Sequence, residues 1–167
     1  IAQPPLFRIK KNKSELYLKD EKELDNYFIQ EMVENSVLKL KNGDVLKGDP
    51  LRDLFANLNE FISLLDEISK KNENYKLLLE QATVANFFNK SNFKTKEKTK
   101  ETIDYTLKRL NFIDKQWYAD LSSDYYFRFI REENKVKETF EIRKDDIEKD
   151  LFERLNDFSN IIQEFFL

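Results

Sequence analysis

The chain has 167 residues, a net charge of −3, 40% hydrophobic and 37% charged residues, which is the profile of a charge-rich globular protein with length enough for one core or two small ones. It contains no Cys and no His, which excludes disulfides, thiol nucleophiles, imidazole bases and the common zinc sites. With two Gly, at 43 and 48, neither a P-loop nor a dinucleotide-binding loop can be written. Fifteen Phe and seven Tyr point to a core built largely from rings.

Gln3–Asp20 reads as a basic β-hairpin, with Leu6–Ile9 alternating, a turn over Lys10–Lys13, and Glu15–Leu18 running back. Pro4 and Pro5 carry no N–H and fit at the start of the first strand. Asp20 and Glu23 stand at capping-box spacing, and Leu24, Phe28 and Met32 predict a helix over 21–34. Asn42-Gly43 between Val37–Leu40 and Val45-Leu46 predicts a second hairpin. Asp49-Pro50 then opens a long helix to Lys70, its apolar stripe formed by Leu51, Leu54, Phe55, Leu58, Phe61, Ile62, Leu65 and Ile68. A break at Asn72–Asn74 precedes a short helix over 75–81, and 82–88 is an apolar run of either type. Residues 89–101, rich in Lys, Thr, Asn and Ser, read as a solvated loop entering a helix over 98–111. From Trp117 the period changes, and 125–131 and 136–142 form an aromatic hairpin around the polar turn 132–135. Asp145 caps a last helix with Ile147, Leu151, Leu155, Phe158, Ile162 and Phe165 on one face. Strands and helices without regular alternation make the class α+β.

Carboxylates are the remaining groups for catalysis. Asp146, Glu148 and Asp150 form an acidic string, but residues two apart on a helix point to nearly opposite sides. Asp145 and Asp146 instead suit the first turn of a helix, where negative charge is favoured. Two basic clusters are candidates for phosphate contact: Arg8, Lys10, Lys11 and Lys13 on the first hairpin, and Lys94 and Lys96, continued by Lys98 and Lys100. Either cluster also suits a solvated surface. Tyr125, Tyr126, Phe127 and Phe129 beside Arg128 and Arg131 could stack on bases, but aromatic strands are more often core; Trp117 and Tyr118 are read the same way. No apolar run approaches membrane-spanning length and no secretory signal is visible, so a cytoplasmic protein with no membrane partner is expected. The chain begins Ile-Ala-Gln rather than with Met and ends on Phe165-Phe166-Leu167 in an apolar pattern, which is expected of a piece of a longer polypeptide.

Ile1–Lys13 (Ile-Ala-Gln-Pro-Pro-Leu-Phe-Arg-Ile-Lys-Lys-Asn-Lys) and Tyr17–Asp20 (Tyr-Leu-Lys-Asp) resemble the segment that follows the acidic metal-binding loop of the TOPRIM domain in the bacterial DNA gyrase B family. Beyond Asp20 the likeness is one of layout, and it resembles the large insertion that interrupts the TOPRIM region in many Gram-negative members. The resemblance implies a division into a TOPRIM-derived hairpin and helix over 1–34 and an insertion domain over 35–167. It also implies a parent topoisomerase that uses ATP and Mg²⁺ and works with DNA, gyrase A and the remainder of gyrase B. The family's metal-binding acids match no residue of this chain, so the resemblance implies no catalytic residue, metal ligand or cofactor here, only contacts and coupling. The competing expectation is a free-standing α+β interaction module that holds a protein or nucleic-acid partner.

Overall fold

The structure, a computed structural model, describes residues 6–40, 42–121 and 126–166. Pro4, Pro5 and Tyr125 lie outside the described residues, as do the side chains of Tyr126 and Phe165. The order is β1 (Phe7–Lys11), β2 (Ser14–Leu18), α1 (Glu21–Asn35), β3 (Leu38–Lys39), β4 (Val45–Leu46), α2 (Asp49–Ser69), α3 (Glu73–Val84), a 3₁₀ turn (Lys90–Phe93), α4 (Lys96–Ile113), β5 (Trp117–Leu121), β6 (Tyr126–Glu133), β7 (Val136–Arg143), α5 (Lys144–Ile147) and α6 (Asp150–Phe166). Among the described residues the strands form antiparallel sheets β1-β2, β3-β4 and β5-β6-β7, so the class is α+β as expected. The chain divides into two compact units, residues 1–59 and 60–167, with the boundary inside α2.

In the first unit β1 and β2 pair from Phe7↔Leu18 to Lys11↔Ser14, leaving Asn12-Lys13 as a two-residue connection. Asn12 takes φ 55°, a left-handed conformation that Asn tolerates better than most residues. Lys10 and Lys11 are therefore strand residues, not part of a four-residue turn. The Asp20 side chain accepts from the Glu23 N–H at 2.8 Å, and Glu23 Oε2 in return accepts from the Lys19 N–H at 2.7 Å, which fixes the start of α1. The helix turns a different face inward from the one expected: Val33 is buried, while Phe28 and Met32 remain 51% and 46% exposed. Leu18, Leu40, Leu51 and Leu54 are the other buried hydrophobics described in this unit.

The second unit holds the ring-rich core. Thr83, Ala82 and Asn86 end α3 in a Schellman turn: the Phe87 N–H reaches the Ala82 carbonyl and the Asn86 N–H the Thr83 carbonyl, both at 2.9 Å. Asn86, at φ 57°, takes the left-handed position usually given to Gly, and the turn delivers Phe87 into the core. The Phe87 ring meets those of Phe88, Phe93, Phe127 and Phe129 edge-on at 5.3–5.7 Å. From α2, Phe61, Leu64 and Leu65 join this core, but Ile62, at the margin of the expected stripe, is exposed, and Leu58 is only half-buried.

Two elements depart from the expected order. Trp117–Leu121 forms a third strand against β6, with Trp117↔Arg131 to Leu121↔Phe127 in register. The Asn111 amide fastens its start, donating to the Trp117 carbonyl at 2.8 Å and accepting from the Trp117 N–H at 3.1 Å. Trp117 is core, as expected, whereas Tyr118 faces outward beside Glu132 and Lys137. The C-terminal helix is also interrupted after Ile147, and Phe152 is more deeply buried than Leu151. Ile147 and Leu151 are four apart, so their apolar period runs unbroken through an interruption it cannot reveal.

Candidate nucleic-acid interface

Pairing in β1-β2 sorts the basic residues by face. Phe7, Ile9 and Lys11 lie on one side with Ser14, Leu16 and Leu18; Arg8 and Lys10 lie on the other with Tyr17 and Glu15. The first side borders α1 through an open pocket of about 400 Å³ that Ile9, Leu16, Tyr27 and Glu31 help to line. Both strands of the ribbon present mostly exposed side chains, which leaves the basic groups accessible to a ligand.

Four positive charges sit on the hairpin, but two have acidic partners. Arg8 Nη2 donates to Glu15 Oε1 at 2.5 Å, and Glu15 also accepts from the Tyr17 hydroxyl at 3.1 Å. Lys11 donates to Glu31, twenty residues along on α1. The hydrogen bond from Lys11 to Glu31 raises the lysine's pKa above its ordinary value; desolvation opposes it, and the charges of Glu31, Tyr27 and Glu34 add to it. Lys10 and Lys13 have no hydrogen bond or ion pair among the described residues. Lys10 stands on β1 and Lys13 in the connection, both exposed. Neither acidic partner was legible locally: Glu15 becomes a neighbour of Arg8 only once the two-residue turn sets the register, and Glu31 arrives by tertiary packing.

Lys94 and Lys96 belong to the second unit and stand in another setting. Lys94 follows the 3₁₀ turn, and Lys96 opens α4, whose N-cap Thr95 accepts from the Lys98 N–H at 3.3 Å. The alternation of Lys94, Lys96, Lys98 and Lys100 does not form a basic strand. On the helix Lys96 and Lys100 share a side, and Lys98 points away from it. Both candidate lysines are exposed.

The aromatic strands are not a stacking platform in their central part, because Phe127 and Phe129 are buried in the core. Arg128 lies between Asp120 at 3.6 Å and Glu141 at 3.2 Å, and Arg131 donates to Asp114 at 2.7 Å and contacts Glu133 at 2.8 Å. Asp146 serves α5: its carboxylate accepts from the Arg143 N–H at 2.9 Å and from Lys149 at 2.5 Å. Partial burial works to raise its pKa, but these two hydrogen bonds and the charges of Lys149 and Arg143 outweigh it and hold the carboxyl below its usual range. Among the described residues no group of three or more acids converges to hold a metal ion. No helix among them is long and apolar enough to cross a membrane.

Residues 5–31, which span the hairpin and most of α1, match the family described as "GyrB, hook". Along 99% of its length the chain is 32% identical to the DNA gyrase B protein of Rickettsia prowazekii. It belongs to the DNA gyrase B family. The chain is also similar to the DNA gyrase B protein of Rickettsia bellii, 44% identical over 71 residues that cover 42% of this chain and 9% of that protein. It is 38% identical over 61 residues to the type 2 topoisomerase B protein of Aquifex aeolicus, covering 36% of this chain and 8% of the relative. The chain spans 21% of the length of the Rickettsia prowazekii protein, so it corresponds to one region of gyrase B. The basic ribbon is thus the part of the molecule on which the family profile falls.

Proposed function

We propose that this chain is a contact-making region of gyrase B, in which Lys10 and Lys13 anchor the hairpin to the duplex backbone. The observation that carries the reading is that, among the described residues, these two lysines have no acidic partner near the turn of the segment matched by the gyrase B hook family. Ammonium groups so placed neutralise phosphates without reading bases. Lys94 and Lys96 would add a second, weaker contact. Arg8 and Lys11, already held by Glu15 and Glu31, position the ribbon more than they bind. The parent enzyme would be a cytoplasmic type II topoisomerase that supercoils DNA with ATP and Mg²⁺. Gyrase A and the remainder of gyrase B would supply the groups for that chemistry, and this region would help couple DNA contact to ATP turnover.

Two phosphate contacts make for weak binding with a shallow salt dependence, log K falling by about 2 per tenfold rise in salt. Labelled duplexes of unrelated sequence should bind alike at low salt. Lys10→Glu with Lys13→Glu should abolish that binding with little change in melting temperature, and Lys94→Glu with Lys96→Glu should weaken it less. In the reconstituted enzyme the first pair should lower DNA-stimulated ATP turnover more than basal turnover. Wild type and the Lys10/Lys13 double variant binding equally would remove the hairpin from the DNA path.

A further inference from the structure

Helix α4 carries two stripes. Ile103, Thr106 and Leu110 are buried, and Leu107 packs beside them, which anchors the helix in the second unit's core. A second stripe, Tyr105, Lys108, Arg109, Phe112 and Ile113, follows the same three- and four-residue spacing on another side. With Gln81 of α3 it lines an open pocket of about 460 Å³. Phe112 is 89% exposed, Ile113 a little over half and Tyr105 a little under half. One apolar stripe accounts for the helix's own packing; a second has no role in that core.

The polar groups of the pocket are set in an arrangement of their own. Gln81 is buried, and its Oε1 accepts from Arg109 Nε at 3.2 Å. The Arg109 guanidinium lies 6.0 Å from the centre of the Tyr105 ring. Neither Arg109 nor Lys108 has an ion pair among the described residues, although the arginines on β6 and β1 do. Exposed rings beside an oriented arginine have the composition of a protein-binding hot spot, and Lys108 adds a charge at the margin.

We propose that this face of α4 docks an amphipathic helical segment of a partner protein, its apolar side chains against Phe112, Ile113 and Tyr105 and its carboxylates against Lys108 and Arg109. The stripe from Tyr105 to Ile113 is about 12 Å long, the span of roughly two helical turns. Charge complementarity selects the acidic partner. A duplex, with about one charge per 1.7 Å of axis, would meet two cations here and leave Phe112 and Ile113 against phosphates. This proposal stands independently of the hairpin and its lysines.

The probe is a labelled helical peptide of about 14 residues with Leu and Phe on one face and Glu along both margins, compared with the same peptide carrying Lys for Glu. The 167-residue chain should bind the Glu peptide about tenfold or more tightly than the Lys peptide. Phe112→Ala and Lys108→Glu should each weaken that binding about tenfold. Both positions are exposed, so the melting temperature should hold; if Phe112→Ala alters it, Lys108→Glu decides. Equal affinity for the two peptides, or no loss in either variant, overturns the proposal. Displacement of the Glu peptide by a single-stranded oligonucleotide would overturn it in favour of nucleic acid. Self-association of the chain that Phe112→Asp abolishes would overturn it in favour of a second copy.

Discussion

The two units use apolar side chains in opposite ways. In the first, the buried hydrophobics among the described residues are few and aliphatic, and the ring pair described there, Tyr27 with Phe28, sits on a helix whose Phe28 is half in solvent. In the second, rings from α2, α3, the sheet and α6 meet in one continuous core. The family profile falls on 5–31, in the thinly packed unit. The likeness to the Rickettsia prowazekii protein extends along nearly the whole chain, while the family profile rests on the part with the least core of its own among the described residues. Its side chains are arranged for charge and surface, whereas those of the second unit are arranged for internal packing.

The sharpest break in that comparison comes from a charge on the core stripe of α2. Leu65→Asp places an unpaired carboxylate among buried side chains and should cost more than about 4 kcal/mol, abolishing the cooperative melt of the second unit. Ile62→Asp, three residues earlier but exposed, should be close to neutral, and equal effects in thermal melts would show the helix phase to be wrong. Truncation separates the units next. Phe129→Ala in the sheet should cost about 3–5 kcal/mol, and Val33→Ala in α1 about 1–2 kcal/mol, read from denaturant unfolding.

A smaller effect is expected with pH, and it belongs to the second unit. Burial, helped by the charge of Asp146, pushes the Tyr75 phenol up from 10.0 to about 12. The neutral phenol is thus favoured by folding, so its contribution is complete below pH 10 and declines as pH rises toward 12. Asp146 is shifted the other way, from 3.8 downward, so its contribution is present above that value and is lost as pH falls through its folded pKa. Melting temperature against pH should show both slopes; Tyr75→Phe should flatten the alkaline one and Asp146→Asn the acid one.

Much of this architecture was legible because local chemistry and global position agreed. Asp20 with Glu23 marked the start of α1, and the 3.6-residue period marked α2 almost to its end at Ser69. Asn134 and Lys135, both at positive φ, close β6-β7 with a two-residue turn inside the polar stretch that the pattern identified. What was hidden depends on pairing across the chain. Strand β5 is five residues long and is defined by β6 and the Asn111 amide rather than by its own alternation. On the hairpin the cluster itself was legible, but which lysines stay unpaired was not, because Glu31 reaches Lys11 from α1. The same limit hid the outer stripe of α4: the expected helix stopped at Asn111, whereas α4 runs to Ile113 and carries Phe112 and Ile113 outside the inner stripe of Ile103, Thr106 and Leu110.

Native-state hydrogen exchange on the whole 167-residue chain tests the contrast between the units most directly. Thin packing predicts that amides of β1, β2 and α1 exchange through openings that are lower in free energy and less dependent on denaturant than those of α3, α4 and β6. Amides of both sets converging on one opening free energy and one denaturant slope would contradict the account, and the family-matching segment would then be as firmly held as the ring core.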